Sequence, residues 1–376
     1  MGASARDAQY RRAGGLCWVG PAHRLLAWAG LVEHQYARPK GPNRVPSCGN
    51  SWHEPSLVVT YDPSTREWGR FRTGGEVPPP TAGASGAGDS CQLLVWGGAT
   101  RMEELGYWLT ITSHQLYRLQ LDTRTWSRLG PAGRPPPPAE KGVAWRHGDW
   151  LYLFGGYCAE RWAGDGAGYD VEQDPETGGW WHNALVRYSE AQNRWDWPAV
   201  LGISPSPRAG AAATRAPGPA ALLFGGRCRR RRLNDLHRLD LISLAWTELE
   251  AGTEPEPLAP PCPALPAPRS LSCLVTLPGH GQTAALYGGL DQLSSPLNDC
   301  WLLHCSETGR HRWEEVELRY DHGEVRAWHG AAASPVTGEL ILLSGLTQER
   351  CHLLSPVFIN TRILLLYNSF LEINSH

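Results

Sequence analysis

In this 376-residue chain the residues best suited to chemistry are arginines crowded into one short run, Arg227-Cys-Arg-Arg-Arg-Arg232. A guanidinium is a planar set of paired donors that does not lose its charge, so such a run suits the recognition of a carboxylate or a phosphate. The same residue types also fit a nuclear import signal, a nucleic-acid contact or a solvated loop. The charge balance speaks against nucleic acid: 35 Lys and Arg stand against 37 Asp and Glu, a formal −2, which leaves no general basic field. Tyr157 follows a Gly pair at the end of an apolar run, where a rim residue is common, and Trp181 beside Trp180 reads as a core or rim aromatic that could cover the mouth of the fold. Ser270 is a hydroxyl that follows a Pro-rich stretch.

Other chemistries find little purchase. The 14 His include no H-E-x-x-H and no grouping at ligand spacing, so neither a metal nor another cofactor is expected. The 10 Cys form no C-x-x-C, and Cys300 with Cys305 share only a C-x4-C spacing inside a strand-like run; they read as reduced, mostly buried thiols of an intracellular protein. Gly279-His-Gly-Gln-Thr-Ala284 precedes its strand, the wrong order for a dinucleotide loop, and Gly164-Asp-Gly-Ala-Gly168 lies in a long acidic loop. No G-x-S-x-G elbow is present. A copper oxidase of the galactose-oxidase kind would need Tyr and His ligands with a Cys–Tyr crosslink, and a sialidase an Arg triad with a Tyr/Glu pair; neither set occurs at a convincing spacing. The polar stretch from Met1 to Arg12 does not read as a signal peptide, and no apolar run approaches the ~20 residues of a membrane span. The expected setting is the cytoplasm, the nucleus or both, with neither membrane nor nucleic acid as a partner.

The elements that position these residues repeat. Ala221-Leu-Leu-Phe-Gly-Gly-Arg227, then Asn234-Asp-Leu-His-Arg-Leu-Asp240, then Trp246 read as one β-meander: an apolar strand ended by a Gly pair, a second strand with period-two alternation, and a Trp on the next. Related units start at Leu25, Cys91, Trp150, Thr283 and Glu339, with closing Trp68, Trp126, Trp195 and Trp313 in four of them. The last unit lacks a closing Trp, and its second strand is expected at Asn360–Tyr367. Pro-rich breaks such as Val77–Pro80, Arg134–Pro138 and Glu254–Pro268 separate the units, since Pro lacks the amide proton that a central strand needs. The content of 18 Trp, 42 Gly and 31 Pro fits an all-β chain with many turns. The period, roughly 55–70 residues, is a little longer than the ~50 of kelch repeats. The expected architecture is therefore one all-β, six-bladed kelch β-propeller over residues 1–367, its sixth repeat degenerate, with a short C-terminal tail over 368–376.

Repeats three to five carry more than the kelch pattern. Gly-Gly-Tyr157, Trp181-His-Asn183, Pro207-Arg-Ala-Gly210, Gly-Gly-Arg227 with Arg232-Leu-Asn-Asp-Leu-His237, and Pro268-Arg-Ser270 follow the order and nearly the spacing seen in the family of kelch domain-containing proteins 1 and 2. The chain resembles that family to about residue 346. The resemblance implies a non-enzymatic substrate receptor of a cullin-2 RING ubiquitin ligase, working with elongin B and elongin C, which binds the extreme C-terminus of client proteins, commonly Gly-Gly. It also implies that Tyr157, Trp181, Arg227, Arg232 and Ser270, with Lys141 as a sixth, form the degron pocket. A terminal carboxylate calls for paired donors, which the two Arg and the Ser hydroxyl would supply; aromatic walls and the Lys141 stem would admit only small terminal residues.

Two departures from the family pattern stand out. Leu271 occupies the place of a family Trp after Ser270, so an aromatic wall or lid is expected to be missing. The tail from Cys351 to His376 lacks the family's Leu-headed helix with a Cys four residues on, the box that docks elongin C. The alternative reading is accordingly a kelch scaffold for cytoskeletal or transcriptional partners, without ligase docking. Arg12–Val19 is expected to close the ring by pairing with the C-terminal strands.

Overall fold

The computed structural model describes residues 11–33, 50–52, 54–104, 107–160, 168–175, 177–229, 231–252, 265–279, 283–306, 310–316, 325–343, 345–346 and 357–360. Among these the chain is almost all strand; its helical content is the short 3₁₀ turn Pro21–His23. The expected boundary at residue 367, the tail beyond it and Cys351 lie outside the described residues.

The strands assemble into successive antiparallel sheets. Blade one runs Leu16–Val19, Leu25–Trp28, Leu57–Asp62 and Glu67–Arg72; blade two, Ser85–Gly88, Gln92–Trp96, Leu116–Gln120 and Thr125–Leu129. Blade three runs Val143–His147, Trp150–Cys158, Trp180–Ser189 and Arg194–Asp196; blade four, Ala212–Ala216, Ala220–Cys228, Arg231–Asp240 and Ala245–Glu250. Blade five runs Cys273–Thr276, Thr283–Tyr287, Cys300–Cys305 and His311–Val316, and blade six shows Gly330–Ala333, Glu339–Leu343 and Val357–Asn360. The first strand of each blade lies against the first strands of its two neighbours, and that of blade six returns to that of blade one.

Each junction between blades holds its own apolar cluster. Leu25, Ala27 and Tyr61 of blade one, for example, meet Ala332, Ile341 and Leu343 of blade six. The Trp on the fourth strand fills the gap to the preceding blade. Trp126 lies 4.9 Å from Trp28, Trp195 4.9 Å from Trp96, Trp246 5.1 Å from Phe154 and Trp313 5.0 Å from Phe224, measured between ring centroids. Such pairs add about 0.5–1.5 kcal/mol beyond their burial. The second strands show no in–out alternation: Ala220 to Gly226 is buried throughout. Each sheet is packed on both faces by its neighbours, so both faces are apolar.

A ring of main-chain hydrogen bonds surrounds the axis. The N–H of Gly83 donates to Gly14, Lys141 to Gly83, Gly210 to Lys141, Leu271 to Gly210, Trp328 to Leu271 and Gly14 to Trp328, over 2.6–2.9 Å. These residues enter the first strands, one per blade, and each has positive φ, from +54° at Trp328 to +71° at Gly14. The Gly pairs sit at the same end of the blades, and the second member of a pair donates to the next blade's entry, as Gly156 does to Arg208 and Gly226 to Arg269. In blade two that carbonyl arrives so closely that a side chain on the first member is excluded: a Cβ on Gly97 would lie 2.3 Å from the Ala139 oxygen.

Two expectations about closure are corrected. Leu16–Val19 pairs with Leu25–Trp28 as the first strand of blade one, and Arg11–Ala13 pairs with Leu31–Glu33, so among the described residues the N-terminal segment adds no strand to blade six. Blade one already draws its strands from the N-terminal part of the chain, which leaves that segment no place in the last sheet. In blade six, Glu339–Leu343 pairs with Val357–Asn360, upstream of the expected Asn360–Tyr367, of which residues 361–367 lie outside the described set.

Candidate functional site

The six residues singled out from the sequence all lie at the Gly-pair end of blades three to five. Tyr157 lies one residue before the end of the second strand of blade three, directly opposite Trp181, with ring centroids 5.2 Å apart. Trp181 is buried and underlies Tyr157, whose hydroxyl is 2.5 Å from Thr177 Oγ1, which in turn donates to Asp174 Oδ2 at 2.8 Å. Burial raises the Tyr157 pKa, and the Thr177 hydrogen bond opposes that shift. Gly179 makes the position available, because a Cβ there would overlap the Tyr157 hydroxyl.

The equivalent place in blade four belongs to Arg227, paired across the sheet with Arg232. Arg227 is exposed, whereas Arg232 is 7% exposed and fully ordered by its neighbours. Its Nε donates to Ser270 Oγ at 2.8 Å, Nη2 to Ser294 Oγ at 3.0 Å and Nη1 to the Gln292 carbonyl at 3.4 Å. Gln292 also brackets the Arg232 backbone, accepting its N–H at 2.9 Å and donating to its carbonyl at 2.8 Å. Ser270 accepts from Arg232 through oxygen, so its own hydroxyl proton is left to donate elsewhere.

Among the described residues neither Arg227 nor Arg232 forms an ion pair. Burial, and then the charge of Arg227, lower the pKa of Arg232, and the charge of Asp291 opposes them; the group stays cationic at any ordinary pH. Nearby arginines of the same type behave differently. Arg208 meets Asp235 through two bonds of 2.7 and 2.8 Å, and Arg269 meets Asp299 through two of 2.7 and 2.6 Å. Burial resists ionisation of Asp235, but hydrogen bonds from His237 and Arg208 and the Arg208 charge outweigh it, so its carboxyl is held well below the usual range. Arg208 and Arg269 therefore clamp the fold, whereas Arg227 and Arg232 make no ion pair among the described residues and only the Asp291 charge offsets that of Arg232 from a distance.

Lys141 stands apart from the other five. It occupies the axial ring, donates to Glu140 Oε1 at 2.7 Å and lies 5.1 Å from the centre of the Trp328 ring. It lines an axial cavity of about 140 Å³ together with Leu271, Trp328, His329 and the ring glycines. It is tied to Tyr157 through the reciprocal main-chain bonds between Glu140 and Tyr157. Leu271 also sits in the ring, so the side chain at that position faces the axis. Trp328, not singled out from the sequence, supplies an indole to the same cavity. Gln292 and Ser294 were equally unmarked: Asp291-Gln-Leu-Ser-Ser-Pro296 signals a turn, but nothing local says that the turn meets Arg232.

The chain matches the model of the KLHDC2/KLHL20/DRC7 Kelch-repeats domain over residues 47–262 and 176–362. It belongs to this kelch-repeat family. It is 28% identical to kelch domain-containing protein 1 of Mus musculus over 84% of this chain and 71% of that one. Identity to kelch domain-containing protein 2 of Bos taurus is 29%, over 76% of this chain and 66% of that protein. Host cell factor 2 of Homo sapiens is 30% identical over 52% of this chain and 24% of its own length. This kelch chain thus spans about two thirds to seven tenths of the first two relatives. The solved structure of YjhT superposes with a TM-score of 0.62 at 16% identity, covering 93% of this chain and 95% of that one, a likeness of fold. No group of three or more His, Cys, Asp or Glu suited to a metal occurs among the described residues.

Proposed function

We propose that this kelch-repeat chain is the substrate-recognition module of a cullin-RING ubiquitin ligase, binding client proteins through a C-terminal carboxylate that follows small, Gly-type residues. Kinship with kelch domain-containing proteins 1 and 2 supports the coarser reading, a protein-binding propeller that does no chemistry of its own. The observation that carries the finer one is the Arg227–Arg232 pair, two arginines opposite one another across the sheet, neither in an ion pair among the described residues, with the Asp291 charge acting on Arg232 only through space. Neighbouring Arg208 and Arg269 are fully paired. Holding two like charges together is unfavourable until an anion arrives, and a carboxylate between paired donors is the matching anion.

On this reading Arg227 meets the carboxylate from the open side, Arg232 from below, and the Ser270 hydroxyl adds a third donor. Tyr157 over Trp181 forms the wall against which only a small terminal residue fits. Lys141, held by Glu140, contributes its stem at the axial edge. Elongin B, elongin C and cullin-2 are the proposed assembly partners, in the cytoplasm or nucleus, and ligation itself falls to other subunits.

The test is a titration with a peptide ending in Gly-Gly, as free acid and as amide. A strong preference for the acid, abolished by replacing Arg227 and Arg232 together with Ala, is the expected result; equal binding of acid and amide would remove the carboxylate from the site. Co-purification with elongins B and C from cell extract tests the ligase assignment separately.

A further inference from the structure

The turn that holds Arg232 also displays an apolar side chain. Asp291 Oδ1 accepts the N–H of Leu293 at 2.9 Å and of Ser295 at 2.8 Å, and the main chains of Asp291 and Ser295 bond at 3.0 Å. Ser294 adds an N–H bond to the Asp291 carbonyl at 2.9 Å and adopts φ +64°. Gln292 and Ser294 are both bonded to Arg232, so the backbone of Leu293, between them, is held beside that arginine. Its side chain nevertheless stands 86% exposed.

A single exposed Leu on a surface is ordinary. This one differs in that its backbone is placed before any ligand arrives, on a turn whose flanking residues are bonded to the guanidinium of the candidate site. With the backbone already in place, covering this residue costs only the rotamer freedom of its short side chain, which leaves most of the burial as affinity.

We infer that Leu293 is a specificity-determining contact, packing against an apolar side chain of the bound peptide upstream of its terminal carboxylate. The inference rests on the carboxylate site proposed above and names the class of client it takes: an extended C-terminus with small terminal residues and an apolar residue upstream of them. Charged or polar residues at that position leave Leu293 in water and gain nothing from it.

The test uses the full chain and free-acid peptides ending in Gly-Gly, with Leu or Ser placed in turn at each of the preceding positions. At one position the Leu peptide is expected to bind roughly tenfold tighter than the Ser peptide, and Leu293→Ser is expected to bring that ratio close to one. Ile203→Ser, at an equally exposed residue on the outer edge of blade four, is the control expected to keep the ratio. If Leu293→Ser leaves the ratio as in the parent chain, or no position prefers Leu, the inference is overturned while acid-over-amide preference persists. Loss of acid-over-amide preference in the parent chain itself would overturn the carboxylate site, and this contact with it.

Discussion

Arg208 and Asp235 meet in a two-bond ion pair, Nη1 2.7 Å from Oδ1 and Nη2 2.8 Å from Oδ2, while the Arg208 carbonyl accepts the N–H of Gly156 from the preceding blade. One residue thus ties two blades, its main chain to blade three and its side chain to blade four. Its guanidinium also reaches the Gly225 carbonyl at 3.1 Å, and Arg269 repeats the arrangement with Asp299 and Gly288 one blade on.

Removing one partner of this pair leaves a buried charge uncompensated. Asp235→Ala is expected to lower stability by about 3–5 kcal/mol, and Arg208→Met with Asp235→Leu to lose clearly less; chemical denaturation of the three proteins checks this. The pH dependence has a definite sign. The folded pKa of Asp235 lies below its unfolded value of 3.8, so its contribution is complete above that value and is lost as pH falls through the folded one. Acid melts of Asp235→Asn are expected to be flatter than those of the parent.

His182 is a second source of acid sensitivity. Burial lowers its pKa from 6.5 to about 4, and its Nδ1 accepts the Ala184 N–H at 3.3 Å, a bond that protonation at Nδ1 would destroy. The unfolded chain binds the extra proton first, so stability is full above pH 6.5 and falls towards pH 4 by about 1.4 kcal/mol per pH unit. Replacing His182 with Gln is expected to reduce that slope in denaturation series over the same window.

The Gly pairs give a test by contrast. Gly225 has φ +61°, and a Cβ on it would lie 2.7 Å from the Leu233 oxygen and 2.8 Å from that of Arg269, both main chain. Gly225→Ala is expected to cost at least about 2 kcal/mol. In blade one the corresponding residue is already Ala29, at φ +65°, so Ala29→Gly is expected to gain about 0.5–1 kcal/mol. Thermal midpoints moving in opposite directions would bear out the pair.

Arg227 is exposed and makes no ion pair among the described residues, so its removal should separate binding from folding. Arg227→Ala is expected to leave stability within about 0.5 kcal/mol and to weaken binding of a free-acid Gly-Gly peptide about 10- to 100-fold. An affinity matching the parent's would take Arg227 out of the site.

The repeat architecture was legible in local chemistry. Gly pairs, alternating strands and closing Trp residues mark the units because each depends on a local need: a positive φ at a close approach, a strand surface, an aromatic to fill a gap. The same signals misplaced the closure, since Leu16–Val19 reads as a strand without revealing which sheet it joins. The pairing strand of the last repeat begins at Val357, upstream of the expected Asn360, because apolar stretches on either side of Asn360 carry equal strand character.

What the sequence determined by itself is the family of repeats and the inventory of arginines, tyrosine, tryptophan and serine available for a site. Which arginines hold the fold and which stay unpaired was decided by tertiary structure alone. Arg208 and Arg269 find Asp235 and Asp299 only because the entry of each first strand folds back over the third strand of its own blade. Arg232 finds Ser270, Gln292 and Ser294 only because blades four and five are neighbours. A guanidinium is the same group at every position; the carboxylates and hydroxyls that long-range packing brings to it set its role.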